Sequence, residues 1–224
     1  MRTVFHARMA AIDDELVDMT RRVGSAMNRA TQSLLDADLA LAESVISADS
    51  RLDAVAAQVE EEAFSLVAQQ QPVAQDLRAL LAALRISSSL ERMGDLAVHV
   101  AKAARLRYPM PAVPMELRGV VVDMGAVAQR IVEDTGVALA RRDVVTAGQL
   151  RAIDREMDRL HREMFHIVLS PAWTYGIEAA VDATLISRYY ERFADHAVTI
   201  GKRVIHVVTG EPHQMGRTPP VTPL

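Results

Sequence analysis

Seventeen residues, Ile86–Lys102 (ISSSLERMGDLAVHVAK), return one hundred positions later as Ile186–Lys202 (ISRYYERFADHAVTIGK) with eight identities. The chain holds two lysines, Lys102 and Lys202, and they fall on equivalent places. A second correspondence, at an offset of 105, lays Asp38, Ala42, Asp49 and Asp53 over Asp143, Ala147, Asp154 and Asp158. A chain built this way must fold as two copies of one unit, and stacking the copies can bury a face that neither covers alone. The change of offset makes the second copy five residues shorter between its middle and last segments, and the deletion is expected in the inter-helix turn.

Each unit reads as three helices. Ala, Leu, Val, Arg, Asp and Glu dominate, aromatic residues make up only 4%, and no alternating strand pattern with hairpin signals occurs. The first helix runs from about Val4 to Leu35. Asp38 N-caps a second from Leu39 to about Gln70, and Pro72 suits the first turn of a third that ends near Arg107. Pro109, Pro111 and Pro114 forbid helix continuation and favour a stiff, extended connector. The plan then repeats, with helices from about Met115 to Arg141, from Asp143 to about Leu169 and, after a turn at Ser170-Pro171, from about Glu178 to Thr209. The expected fold is all-α, two tandem three-helix-bundle repeats with six long helices: residues 1–108, a Pro-rich linker at 109–114, residues 115–209, and a disordered tail at 210–224.

Composition removes several functions. Half the residues are apolar, which supports a real core. A net charge of −4 offers no basic excess for nucleic acid. The absence of cysteine removes disulfides, thiolate nucleophiles and Cys-ligated zinc, and suits a reducing compartment. The N-terminus has no apolar run of signal-peptide length, and nowhere do eighteen apolar residues run without a charge, so a cytoplasmic protein without membrane insertion is expected.

In the third helix the packing seam is Leu80, Ala83, Ser87, Leu90, Gly94, Ala97 and Ala101, spaced alternately three and four apart. Gly94→Leu should overpack that seam, whereas Gly94→Ala should be much milder because the second unit has Ala194 there. Beside the seam runs a stripe that turns acidic at Glu91 and Asp95, four apart and therefore one turn from each other on one face. Glu191 and Asp195 repeat the pair, and the middle helices carry Asp49 with Asp53 and Asp154 with Asp158. Two neighbouring helices that each offer such a pair place four repelling carboxylates around one small volume, and a hard or borderline cation would relieve the repulsion. Asp49 lies within the apolar rhythm of its helix, three after Ile46 and three before Leu52, where a free charge needs a partner. The competing reading is a solvated face, or ion pairs with Arg51, Arg92, Arg155 and Arg192.

Histidines add to this set unequally. His99 follows Asp95 by four and extends the stripe to a third donor, whereas the other unit has Thr199 there. His196 adjoins Asp195 but points about 100° away around the helix. Glu163 and His166 have the Glu-x-x-His spacing of di-iron bundles, which need two such motifs where this chain has one. No Gly-rich phosphate loop, nucleophile motif or His-Glu-x-x-His is present, so catalysis finds no support.

The segments Leu90–Lys102 and Glu191–Ile200 resemble the two Glu/Asp-x-x-x-Asp signatures of the PhoU family, Val45–Asp53 resembles its middle-helix motif, and Asp154 to Asp158 is a looser copy. The likeness extends over roughly Val4 to Gly210. It implies a cytoplasmic regulator, commonly a homodimer, whose acidic motifs can bind metal clusters; the carboxylates themselves suit a divalent or ferric ion, iron, zinc, manganese or magnesium, without selecting among them. It implies partners as well: a phosphate ABC transporter ATPase and a sensor histidine kinase, coupled so that phosphate-starvation genes stay off when phosphate is plentiful. Two departures stand out: the family often has Asn four residues after the motif aspartate, where this chain has His99 and Thr199. The residues by themselves leave two other functions open, a carboxylate-bridged metalloenzyme on a helical bundle and a purely structural helical scaffold.

Overall fold

The computed structural model describes the backbone of residues 2–210 and the side chains of 4–210. Six helices follow one another: α1 (Arg2–Asp36), α2 (Leu39–Gln70), α3 (Ala74–Arg107), α4 (Met115–Arg141), α5 (Val144–Val168) and α6 (Gly176–Thr209). Among the described residues there is no strand. The expected disordered tail lies outside the described residues, except that Gly210 closes α6 in a left-handed conformation with its N–H bonded to the His206 carbonyl.

Local chemistry explains most of the boundaries. Asp38 accepts a hydrogen bond from the Leu41 N–H, and Asp143 accepts from Val145 and Thr146, so each middle helix begins at a side-chain cap. Three expectations need correction. Pro72 lies ahead of α3, not in its first turn, because Gln71 caps α2 in a left-handed conformation and extended Val73 is the N-cap of α3. The five-residue deletion does not shorten the turn. It shortens the helix: α5 has 25 residues against 32 in α2 and stops ahead of Ser170-Pro171, where proline removes a helical donor, and the chain reaches α6 through a longer connection. Finally, the linker is turned and not extended, and it is fastened to the core by buried Ala112 and Val113.

The arrangement of the helices follows from their apolar faces. α1, α3, α6 and α4 form a ring, each touching the next, with α2 packed only on α1 and α3 and α5 only on α4 and α6. One continuous core runs through all six. The offset of 105 also holds between α1 and α4, since Leu16, Met19, Val23 and Met27 and their counterparts Val121, Met124, Ala128 and Val132 are all buried. A Cβ on Gly136 would meet Thr20 Oγ1 at 2.8 Å, and one on Gly125 would meet Thr31 Cγ2 at 2.7 Å. These contacts are images of each other, because Thr20 corresponds to Gly125 and Thr31 to Gly136. The two copies are therefore related by an approximate two-fold axis, with threonine set against glycine on both sides so that the backbones approach closely. At the centre, Thr31 Oγ1 lies 2.6 Å from the buried Tyr190 hydroxyl and ties α1 to α6.

Candidate functional site

Every residue of the α3 seam is buried, from Leu80 to Ala101, and this fixes the rotation of the helix. Glu91 and Asp95, one helical step to the side, then lie half-buried along α2. The α2 carboxylate reaches over them: Asp49 Oδ1 is 3.8 Å from where a Cβ of Gly94 would stand. Burial pushes the Asp49 carboxyl above its usual range, and Asp53, Asp95 and Glu91 push it further, while Lys102 opposes them. Of the four carboxylates expected from the spacing, Asp49 thus feels the other three across α2 and α3.

The second repeat builds the same group with more strain. Burial first, then Asp158, Asp195 and Glu191, push the Asp154 carboxyl up to about 6, with Lys202 acting against them. Burial also raises Glu191 and Asp195. Asp154 Oδ1 is fully buried and has no hydrogen-bond partner, a costly condition for a carboxylate oxygen. The two lysines act on equivalent aspartates of the two groups, Lys102 on Asp49 and Lys202 on Asp154.

Arginines hold part of each group. Arg92 donates to Asp95 at 2.9 Å, as the ion-pair reading expected for that pair, and Arg188 pairs with Glu191. Among the described residues no three His, Asp or Glu side chains converge on a common ligand position. The donor chemistry nevertheless fits a hard or borderline cation: all eight groups offer oxygen, the carboxylates around Asp49 and Asp154 repel them, and the buried Asp154 oxygen has no hydrogen-bond donor.

The histidines divide differently from the spacing. His99 is exposed and stacks on Tyr189 of α6, with ring centroids 5.1 Å apart, so its ring contact is to the other repeat. His196 lies between the repeats, where burial and Arg192 lower its pKa and Arg92 of α3 also acts on it. His166 is exposed and Glu163 pairs with Arg159. His161 was missed by sequence reasoning. Its Nδ1 lies 2.9 Å from Ser187 Oγ, and burial first, then Arg188, lower its pKa while Asp158 raises it. The signal was its place three residues after Asp158, hidden in the repeat comparison because the first copy has Ala56 there.

The duplicated geometry has known counterparts. The model of the PhoU domain matches residues 16–104 and again 121–204. The phosphate-specific transport system accessory protein PhoU homolog 2 of Mycobacterium tuberculosis is 46% identical over 210 residues, covering 94% of this chain and 99% of the relative. Homolog 1 of Mycobacterium leprae is 44% identical over 94% of this chain and 95% of its own length. The crystal structure of PhoU from Pseudomonas aeruginosa superposes with a TM-score of 0.81 at 28% identity, covering 92% of this chain and 100% of that one. With one family model matched once per repeat and relatives alike over nearly their whole length, this chain belongs to the PhoU family.

Proposed function

We propose that this chain is a non-enzymatic, cytoplasmic accessory protein of a phosphate-specific transport system, which couples the transporter ATPase to a sensor histidine kinase as a negative regulator. The observation that carries the reading is the near-full-length likeness, at 46% identity, to a protein named for the accessory role. No helix among the described residues is long and apolar enough to cross a membrane, so contact with a transporter would run through protein surfaces. Exposed apolar side chains suit that role: Leu81 on α3, Val181 and Leu185 on α6, and Ile177, which is 84% exposed. A homodimer would use part of the same surface.

In this reading each carboxylate group holds metal, Asp49, Asp53, Glu91 and Asp95 in the first repeat and Asp154, Asp158, Glu191 and Asp195 in the second. His99 and His161 stand at their margins. A bound cation would supply positive charge that relieves the mutual repulsion of the carboxylates. The donor types suit iron, zinc, manganese or magnesium.

The test is a reporter of phosphate-starvation genes in a strain lacking this gene and any second copy of the family. Expression in phosphate-rich medium is the expected result, and normal repression would overturn the regulatory reading. Complementation with Asp154→Asn/Glu191→Gln, alongside elemental analysis of the purified variant, then asks about metal. Full complementation by a metal-free variant would make the carboxylate groups structural.

A further inference from the structure

Because the chain carries its fold twice, each repeat serves as a control for the other, and one groove fails to match. Between α1, α2 and α3 lies a cavity of about 330 Å³ lined by Arg21, Arg22, Ser25 and Arg29 of α1 and Arg51 of α2. Four arginines converge there in a chain of net charge −4. Arg22 donates to Asp18 at 2.6 Å and Arg29 donates to the neutral Ser44 hydroxyl at 2.5 Å. Among the described residues Arg21 and Arg51 have neither an ion pair nor a hydrogen bond. Asp49 borders the same cavity, but among the described residues it forms no ion pair with any of the four arginines.

At the offset of 105 the second repeat has Ala126 for Arg21, Val127 for Arg22, Arg130 for Ser25, Asp134 for Arg29 and Glu156 for Arg51. Its single arginine is taken up by an ion pair with Glu156. The three-helix unit folds without this basic cluster, so packing gives no reason for it. Several guanidinium groups presented from two helices, with a serine hydroxyl in the same lining, match an acceptor that offers oxygens in several directions. A tetrahedral oxyanion does so, whereas a carboxylate offers two oxygens in one plane.

We propose that this groove binds a small phosphate-class oxyanion, held by Arg21 and Arg51 with the Ser25 hydroxyl, and with Arg22 and Arg29 at its margins. The site adjoins the first carboxylate group at Asp49 and does not depend on the regulatory reading. Its volume is at the lower end for small-molecule clefts, which suits phosphate or pyrophosphate better than a larger ligand.

The test is titration of the full chain with inorganic phosphate and with pyrophosphate, by calorimetry and phosphorus NMR, at constant ionic strength and with chelator present so that no metal-held anion contributes. Saturable one-site binding of at least one of them is expected. Arg21→Gln/Arg51→Gln should weaken it at least about ten-fold, and Arg21→Lys, which keeps the charge but loses the planar fork, should weaken it several-fold. Arg130→Gln/Arg159→Gln removes the same charge from the second repeat and should leave binding unchanged. The proposal is overturned if neither anion saturates, if both double variants lose binding equally, or if Arg21→Lys binds as the parent does. The lysine variant also decides the matter should the glutamine pair fail to fold.

Discussion

Gly94→Ala places a methyl group where α2 and α3 press closest, and its effect should change sign with one neighbour. The new Cβ would stand 2.3 Å from Leu52 Cδ2, inside the distance that real Cβ contacts reach, and Leu52 is itself buried. The substitution has an opposite benefit, because alanine in a helix interior is favoured over glycine by about 1 kcal/mol. Overpacking costs about 1–3 kcal/mol, so the net effect runs from neutral to about 2 kcal/mol destabilising. This revises the mild outcome expected from Ala194, since the second repeat has the unbranched, more pliable Met157 where the first has Leu52. Leu52→Ala alone should cost about 2–5 kcal/mol and open the space the methyl needs. In that background Gly94→Ala should stabilise by about 1 kcal/mol, raising the melting temperature by about 2–4 °C for a chain of this size. Urea and thermal denaturation of the four proteins close the cycle. If Gly94→Ala has the same effect in both backgrounds to within about 0.5 kcal/mol, the two side chains do not compete for space and the close contact is refuted.

Three further outcomes follow from the same structure. The Asp154 carboxyl, raised to about 6 in the folded chain against about 4 when unfolded, holds its proton more tightly when folded, so in metal-free protein its contribution to stability is present below about pH 4 and lost as pH rises to about 6. Asp154→Asn should flatten that fall, and an unchanged pH profile of urea midpoints would contradict it. Tyr190→Phe removes a buried hydroxyl while Thr31 keeps its bond to the Met27 carbonyl, so a loss of about 0.5–1.5 kcal/mol is expected and a raised melting temperature would count against it. Asp143→Ala should speed amide exchange at Val145 and Thr146 without affecting the start of α2, and unaltered exchange there would show that the cap does not hold that turn.

What could be read from the chain was whatever repeats along a line. A 3.6-residue period placed the α3 seam on Leu80 to Ala101, and every one of those residues is buried. Duplication marked Asp49, Asp53, Glu91, Asp95 and their copies, and the structure brings each set within electrostatic reach across two helices. Caps at Asp38 and Asp143 were legible because capping is a contact between near neighbours. Tertiary structure decided what depends on which helix faces which: the stacking of His99 on Tyr189, the bond from His161 to Ser187, the closing of Leu52 over Gly94, and the meeting of Arg21 with Arg51 in one groove. These contacts join residues 26 to 90 positions apart, and no local period encodes them. Helix propensity and amphipathicity act over a few turns, but the facing of two helices is set by how all six fill one shared core.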